Sequence, residues 1–235
     1  MAEEILILWL EGPMQSWGTR SRWDVRDTRP EPTKSGVVGL IGCALGLERG
    51  NQRLESLDRS IRFGVRIDRP GIISTDYHTV TGYHRTAAGG FKHSGGVAKT
   101  LQSARTHGPA TIVSPRSYLH DAAFLVAIAA EGELAAHLKQ ALRAPRWPLF
   151  LGRKSCPPIR PILEDCAECA YASIADAVKS HPRHPKSAEG LLEAYIEDET
   201  GNLERQDALR INRLRFYDFR NCRHLEVDPP CFSPA

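Results

Sequence analysis

The chain lacks the features that several large protein classes require. No apolar run approaches the ~20 residues of a membrane-spanning helix. No G-x-x-x-x-G-K-S/T or G-x-G-x-x-G fingerprint follows a strand, which argues against a nucleotide-dependent enzyme. Asp24, Asp27 and Asp121 make no obvious carboxylate cluster for metal-ion catalysis. Only six cysteines occur among 235 residues, and in a chain of intracellular character free thiols are expected rather than a disulfide framework. Cys166-Ala167-Glu168-Cys169 has the spacing of half a zinc site, but Cys222 and Cys231 are not spaced as a second pair. No metal and no cofactor is expected. The acidic start Met1-Ala2-Glu3-Glu4, followed by a strand-length apolar run, gives no signal peptide; the expected location is cytoplasmic.

The sharpest absence is local. From Tyr77 to Tyr118 there is no Asp or Glu, while Arg85, Lys92, Lys99, Arg105 and Arg116 alternate with His78, His84, His93 and His107. Net charge is only +3, because acids elsewhere in the chain, with a dense group between Glu164 and Glu204, offset these cations. Such asymmetry points to a polyanionic partner more strongly than the total does.

What is present reads as an α+β chain. Ile5 to Leu10 predicts a strand, ending in the glycine corner Gly12-Pro13-Met14-Gln15-Ser16-Trp17-Gly18. Thr28-Arg29-Pro30-Glu31-Pro32-Thr33-Lys34-Ser35-Gly36 predicts a stiff basic loop that caps a helix running to Leu47. Its free backbone amides and Lys34 would stabilise an anion. Leu54 and Leu57 suggest a short helical return. Ile61 to Asp68 alternates apolar and charged residues, as a strand with Arg62 and Arg66 on its other face. Residues 69–115 are poor in aliphatics and rich in glycine, and predict a projecting hairpin with a mobile tip. Strands at Arg116–Leu119 and Phe124–Ile128, a helix over Glu133–Leu142 and a strand near Ile159–Leu163 complete a β-α-β-(insert)-β-α-β order. That is the ferredoxin-like split βαβ arrangement. The expected division is a ferredoxin-like domain over 1–163 with a thumb insert at about 69–115, followed by a small β-rich C-terminal subdomain over 164–235. In the latter, a helix around Ala170–Val178 leads to strands at Leu191–Asp198 and Leu214–Val227.

Five segments carry a family resemblance: Gly12–Gly18, Pro32–Leu40, Asp76-Tyr77-His78-Thr79-Val80, Arg116–Phe124 and Leu151-Gly152-Arg153-Lys154-Ser155-Cys156-Pro157. In that order they resemble the CasD family, RNA-binding subunits of type I-E CRISPR Cascade complexes within the RAMP superfamily. The resemblance spans about residues 5–160. It implies a RAMP-type ferredoxin-like domain with a thumb that grips RNA. The implied partners are the 5′ handle of the CRISPR RNA (crRNA), the CasC backbone subunit and the large subunit CasA, with target DNA met only indirectly and no membrane.

Each candidate RNA-binding residue has a plainer alternative. Arg116 could grip phosphate or a base edge by a bidentate contact, or pair with a carboxylate. Gly152, Arg153 and Lys154 form an anion-binding turn, or a solvated one. Phe150 is a stacking surface or a core residue. Lys34 and Ser35 serve an anion, or only cap the helix. Lys92 and Lys99 contact phosphate or solvent. Tyr83, Arg85, Phe91 and Arg105 supply cations and planes for splayed bases. Trp9 and Trp147 read as core.

Two functions are weighed. The first is non-catalytic RNA binding. The second is metal-independent cleavage of CRISPR repeat RNA, as in the type I-C relative, using Tyr83, His84, Lys92 and His93. Binding is preferred, because a mobile glycine-flanked tip suits a phosphate grip better than an active site.

Overall fold

The computed structural model describes residues 3–19, 25–164, 170–211 and 215–231. In chain order it begins with β1 (Glu3–Glu11), β2 (Met14–Gln15), α1 (Lys34–Ala44), α2 (Arg53–Ser60) and β3 (Arg62–Arg69). The insert follows as β4 (Ile72–Gly82), β5 (His84–Arg85), β6 (Phe91–His93), β7 (Gly96–Ala98), α3 (Leu101–Arg105) and β8 (Ala110–His120). Then come β9 (Ala123–Glu131), α4 (Gly132–Arg143), α5 (Ile174–Ser180), β10 (Leu192–Glu197), β11 (Leu203–Ile211) and β12 (Arg215–Val227).

The chain divides into two compact units. One comprises residues 1–19, 28–74 and 118–235; the other comprises 20–27 and 75–117.

The larger unit is organised by a six-stranded antiparallel sheet of order β1-β9-β3-β10-β12-β11. Beyond the free edge of β1, Leu163 bridges Leu8, with Trp9 N–H donating to Ile162 O and Glu164 N–H to Ile7 O. A residual fourth strand beside β1, then β9 and β3, is the ferredoxin-like order. β1 and β9 are apolar on both sides because both faces of the sheet are covered. Leu6, Leu8, Leu10, Phe124, Val126 and Ile128 join a core containing residues of α1, α2 and α4, while Ile5, Ile7, Trp9, Leu125 and Ala127 join one containing residues of α5. Each fully buried Leu or Ile contributes about 1.5–3 kcal/mol.

The C-terminal strands are β-rich as expected, but they do not stand apart. β10 pairs with β3 and so extends the first sheet. The composition shift near residue 164 therefore marks no domain boundary. Gly64 permits the close approach of α5, since a Cβ there would lie 2.3 Å from Ile174 Cγ2.

Arg66 also departs from expectation. Its side chain is fully buried, forked onto Asp68 at 2.8 and 2.9 Å, and donates to the carbonyls of Val178, His181 and Pro182. Asp68 in turn accepts from His184 N–H at 2.7 Å. Its side of β3 is thus closed by the segment after α5, which period-two alternation alone cannot reveal. Trp9 is core, but Trp147 is 38% exposed.

The expected projecting hairpin is present, with β4 and β8 as neighbouring strands, but its tip is folded rather than a mobile loop. Between β4 and β8 the chain builds its own three-stranded sheet, β5-β6-β7, followed by α3 with Thr100 as its cap.

Candidate nucleic-acid interface

In the larger unit, the glycine corner and the basic turn are built on one another. Ser16 N–H donates to Leu151 O at 3.1 Å, Leu151 N–H to Cys156 O at 2.7 Å, and Cys156 N–H to Arg153 O at 2.9 Å. Gly152 has φ +85°, and a Cβ there would fall 1.7 Å from Ser16 O. Only glycine can occupy this position, because conformation and space both forbid a side chain. The turn delivers Arg153 onto the ring of Tyr118, 4.6 Å from guanidinium carbon to centroid. It leaves Gly152 and Lys154 exposed and Phe150 partly exposed. Tyr118 is 4% exposed, so it is a fixed floor beneath the cation. Sequence reasoning named Arg153 and missed this floor, although Tyr118 lies within a quoted motif.

The start of α1 requires a correction. Thr33 caps the helix by accepting from Gly36 N–H at 3.2 Å. The anion that answers the helix end belongs to the protein: Asp207 accepts from Lys34 N–H at 2.8 Å and is itself held by the Arg220 fork at 2.6 and 3.1 Å. Lys34 Nζ lies 2.9 Å from Glu197, whose other oxygen accepts from Phe63 N–H. Lys34 is 3% and Ser35 4% exposed. Both are therefore buried within the protein rather than displayed on its surface. β11 and β12, which carry Asp207 and Arg220, occupy the site that the sequence reading left open for phosphate. Nearby, Glu31 accepts from Arg29 and pairs with Arg205 at 2.8 Å; burial nonetheless raises its carboxyl above the ordinary value.

In the smaller unit, Arg85 pairs with Phe91 across β5 and β6, its guanidinium 5.9 Å from the ring centroid. Lys92, Lys99, Arg85 and Arg105 are exposed, while Phe91, Tyr83 and Arg116 are partly exposed. Tyr83 donates its hydroxyl to His107 O at 3.0 Å. The imidazoles of His93 and His107 stack at 4.3 Å, and Gly95 N–H donates to His93 Nδ1 at 3.1 Å. His93 is therefore fixed and 8% exposed, contrary to the mobile setting expected for it. The Cys166–Cys169 pair lies outside the described residues.

The larger unit thus defines an α+β protein whose ferredoxin-like sheet carries a glycine-supported cationic turn. The chain belongs to the CRISPR-associated Cas5 family: residues 5–220 match the family model described as CRISPR-associated protein (Cas5). It is 35% identical over 169 residues to the CRISPR system Cascade subunit CasD of Escherichia coli (strain K12), covering 67% of this chain and 68% of that one. A chain of a solved CRISPR RNA-guided surveillance complex superposes with TM-score 0.72 at 30% identity, covering 97% of this chain and 91% of the other. A crystal structure of a Cas protein gives TM-score 0.69 at 32% identity, covering 99% and 100%.

Proposed function

We propose that this chain is a non-catalytic RNA-binding subunit of a type I-E CRISPR Cascade complex acting in antiviral defence. It holds the 5′ handle of the crRNA and caps the CasC backbone beside CasA, in the cytoplasm. Target DNA is met only through the assembled complex. The observation that carries the reading is the turn at Gly152, where a glycine that nothing can replace fixes Arg153 on a buried tyrosine. A guanidinium laid on a ring at the edge of a turn presents a planar fork that matches a backbone phosphate. The exposed Lys92, Lys99, Arg85 and Arg105, with Tyr83 and Phe91, add cations and planes for splayed bases on a unit without an acid from Tyr77 onward. The relative named as a Cascade subunit and the matching chain of a surveillance complex support the same assignment.

The test is titration of labelled crRNA against assembled complexes carrying Arg116→Ala or Arg153→Ala. Affinity should fall in both; unchanged affinity in both removes the site.

A second reading, metal-independent cleavage of repeat RNA, gains one observation. His93 and His107 are stacked beside the Tyr83 hydroxyl in a folded setting, where a general acid and base could be held. Incubating the purified chain with repeat RNA in EDTA decides it. Specific cleavage that is lost in His93→Ala establishes an enzyme; no cleavage leaves binding alone.

A further inference from the structure

We propose that Trp147 is a stacking platform for one unpaired base of the bound RNA, with Arg146 and Lys154 answering phosphates of the same strand. This rests on the RNA-binding reading above, and adds a segment and a ligand group, the face of a base, that the Gly152 turn does not provide.

Trp147 is not in the core, and its chain context explains why. Pro145-Arg146-Trp147-Pro148 follows α4 with a proline on each side of the Arg-Trp pair. The prolines fix φ and supply no N–H, so neither helix nor sheet continues through them. The segment is fastened to the end of α1 instead. Arg146 N–H donates to Ala44 O at 2.9 Å, and the Cys43 thiol donates to Pro148 O at 3.4 Å. The stem of Arg146 runs over Gly46, which has φ +70° and where a Cβ would lie 2.3 Å from Arg146 Cδ. On this held backbone every residue from Ala144 to Pro148 is exposed. An indole kept for packing would bury its ring, as Trp9 and Trp17 do at 4% and 1% exposure.

The surroundings of the indole are cationic. No Asp or Glu occurs from Leu134 to Leu163, a second acid-free stretch. Within it Lys139 pairs with Glu4 and Arg160 with Glu164, whereas Arg146 and Lys154 enter no ion pair among the described residues. Lys154, displayed by the Gly152 turn, reaches the same Cys43: burial pushes that thiol up, and the Lys154 ammonium opposes it. The basic turn and the tryptophan segment thus meet at one residue of α1. One helical turn earlier Gly39 is exposed, and a Cβ there would meet nothing within 4 Å, so this face of α1 is uncovered.

A lone phosphate would use the cations and leave the ring idle, while a duplex keeps its base faces stacked inside. A single strand offers both a free base face and neighbouring phosphates. An acidic protein segment would match the charge, but the adjoining Arg153 fork suits phosphate, which favours RNA.

The experiment titrates crRNA, labelled with a fluorescent purine analogue at successive handle positions, against assembled complexes carrying Trp147→Leu, Trp147→Phe, Arg146→Ala or Arg153→Ala across a salt series. At one position the analogue should be quenched in the parent and in Trp147→Phe, and brighter in Trp147→Leu. Trp147→Leu should weaken binding roughly tenfold at an unchanged salt slope, because stacking releases no counterions. Trp147→Phe keeps a ring face and should recover most of that loss, which a merely structural role would not require. Arg146→Ala should lower the slope by about 0.7, the value for one phosphate on a single strand. Matched melting temperatures and subunit composition confirm intact complexes. Parent affinity and parent quenching in Trp147→Leu, alongside a loss in Arg153→Ala, sink the platform and leave the RNA reading standing. A Trp147→Leu complex that sheds a protein subunit while keeping its RNA affinity overturns the platform in favour of a protein contact. No loss in any variant sinks both readings.

Discussion

Lys34 Nζ lies 2.9 Å from the carboxylate of Glu197, 163 residues away in sequence, and its side chain is 4% exposed. The pair ties the start of α1 to β10, which makes it part of the fold rather than of a binding surface. Removing Lys34 leaves the partly buried Glu197 carboxylate with Phe63 N–H in place of its cation, at a cost on the order of 2 kcal/mol. Lys34→Ala should therefore lower the denaturant midpoint markedly. At full folding, its crRNA affinity should match the parent. A selective loss of affinity with unchanged stability would restore Lys34 to the RNA site.

Gly152→Ala should be far more damaging than an exposed loop position suggests. Its φ of +85° and the 1.7 Å approach of Ser16 O leave no room for a methyl group. The turn must move, displacing Arg153 from Tyr118. A stability loss of about 2 kcal/mol or more is expected, together with weaker crRNA binding, measured by chemical unfolding and titration. A neutral result on both counts would mean that the turn's geometry is not required.

Local pattern made most of the larger unit readable. The short continuous apolar run Ile5–Leu10 and the periodicity of Leu134, Leu138 and Leu142 locate β1 and α4, because neighbouring residues alone set those patterns. The Thr33 cap and the Gly152 turn were legible for the same reason, since each is a matter of a few bonds within one loop. What sequence could not give was closure over distance. Arg66 looked like an outward charge until α5 and the two residues after it supplied three carbonyls, and Lys34 looked like a phosphate ligand until Asp207 and Glu197 arrived from β11 and β10. β11 itself, with its charge-rich Leu203–Arg205 start, showed no strand signal. Its pairing with β12 decides its conformation. The parallel bridge between Arg26 and Arg116 joins chain segments about ninety residues apart, and had no local signature either.

His181 should give the fold an acid-sensitive slope. Burial first, and then the charges of Arg66 and Arg160, lower its pKa from 6.5 to about 4. Its Nδ1 faces the Tyr171 hydroxyl at 2.9 Å, and Trp9 packs on its ring. Between the two pKa values the unfolded chain holds a proton that the folded chain rejects. Stability is therefore complete above about pH 6.5 and declines as pH falls toward 4, by on the order of 3 kcal/mol across the window. Glu31 and Asp58, whose carboxyls burial raises, act with the opposite sign by favouring the folded state when protonated. Urea unfolding at a series of pH values should show a flatter slope for His181→Asn than for the parent. Parallel slopes would contradict the assignment.

The cation over Tyr118 offers a separable test of binding and folding. The Arg153–Tyr118 contact, at 4.6 Å, is worth about 0.5–1 kcal/mol to the free protein, so Arg153→Ala should barely shift the unfolding midpoint. Its effect on crRNA should be larger, roughly tenfold, with the salt slope lowered by about 0.7 as one phosphate contact is lost. Arg153→Lys keeps the charge but loses the planar fork, and should recover the slope while leaving affinity below the parent. Tyr118→Leu keeps an apolar residue beneath the turn while removing the ring face, and should resemble Arg153→Lys if the tyrosine's task is to orient the guanidinium. If Tyr118→Leu instead lowers stability by several kcal/mol with the affinity of the folded protein unchanged, the ring serves the core alone and Arg153 needs no platform.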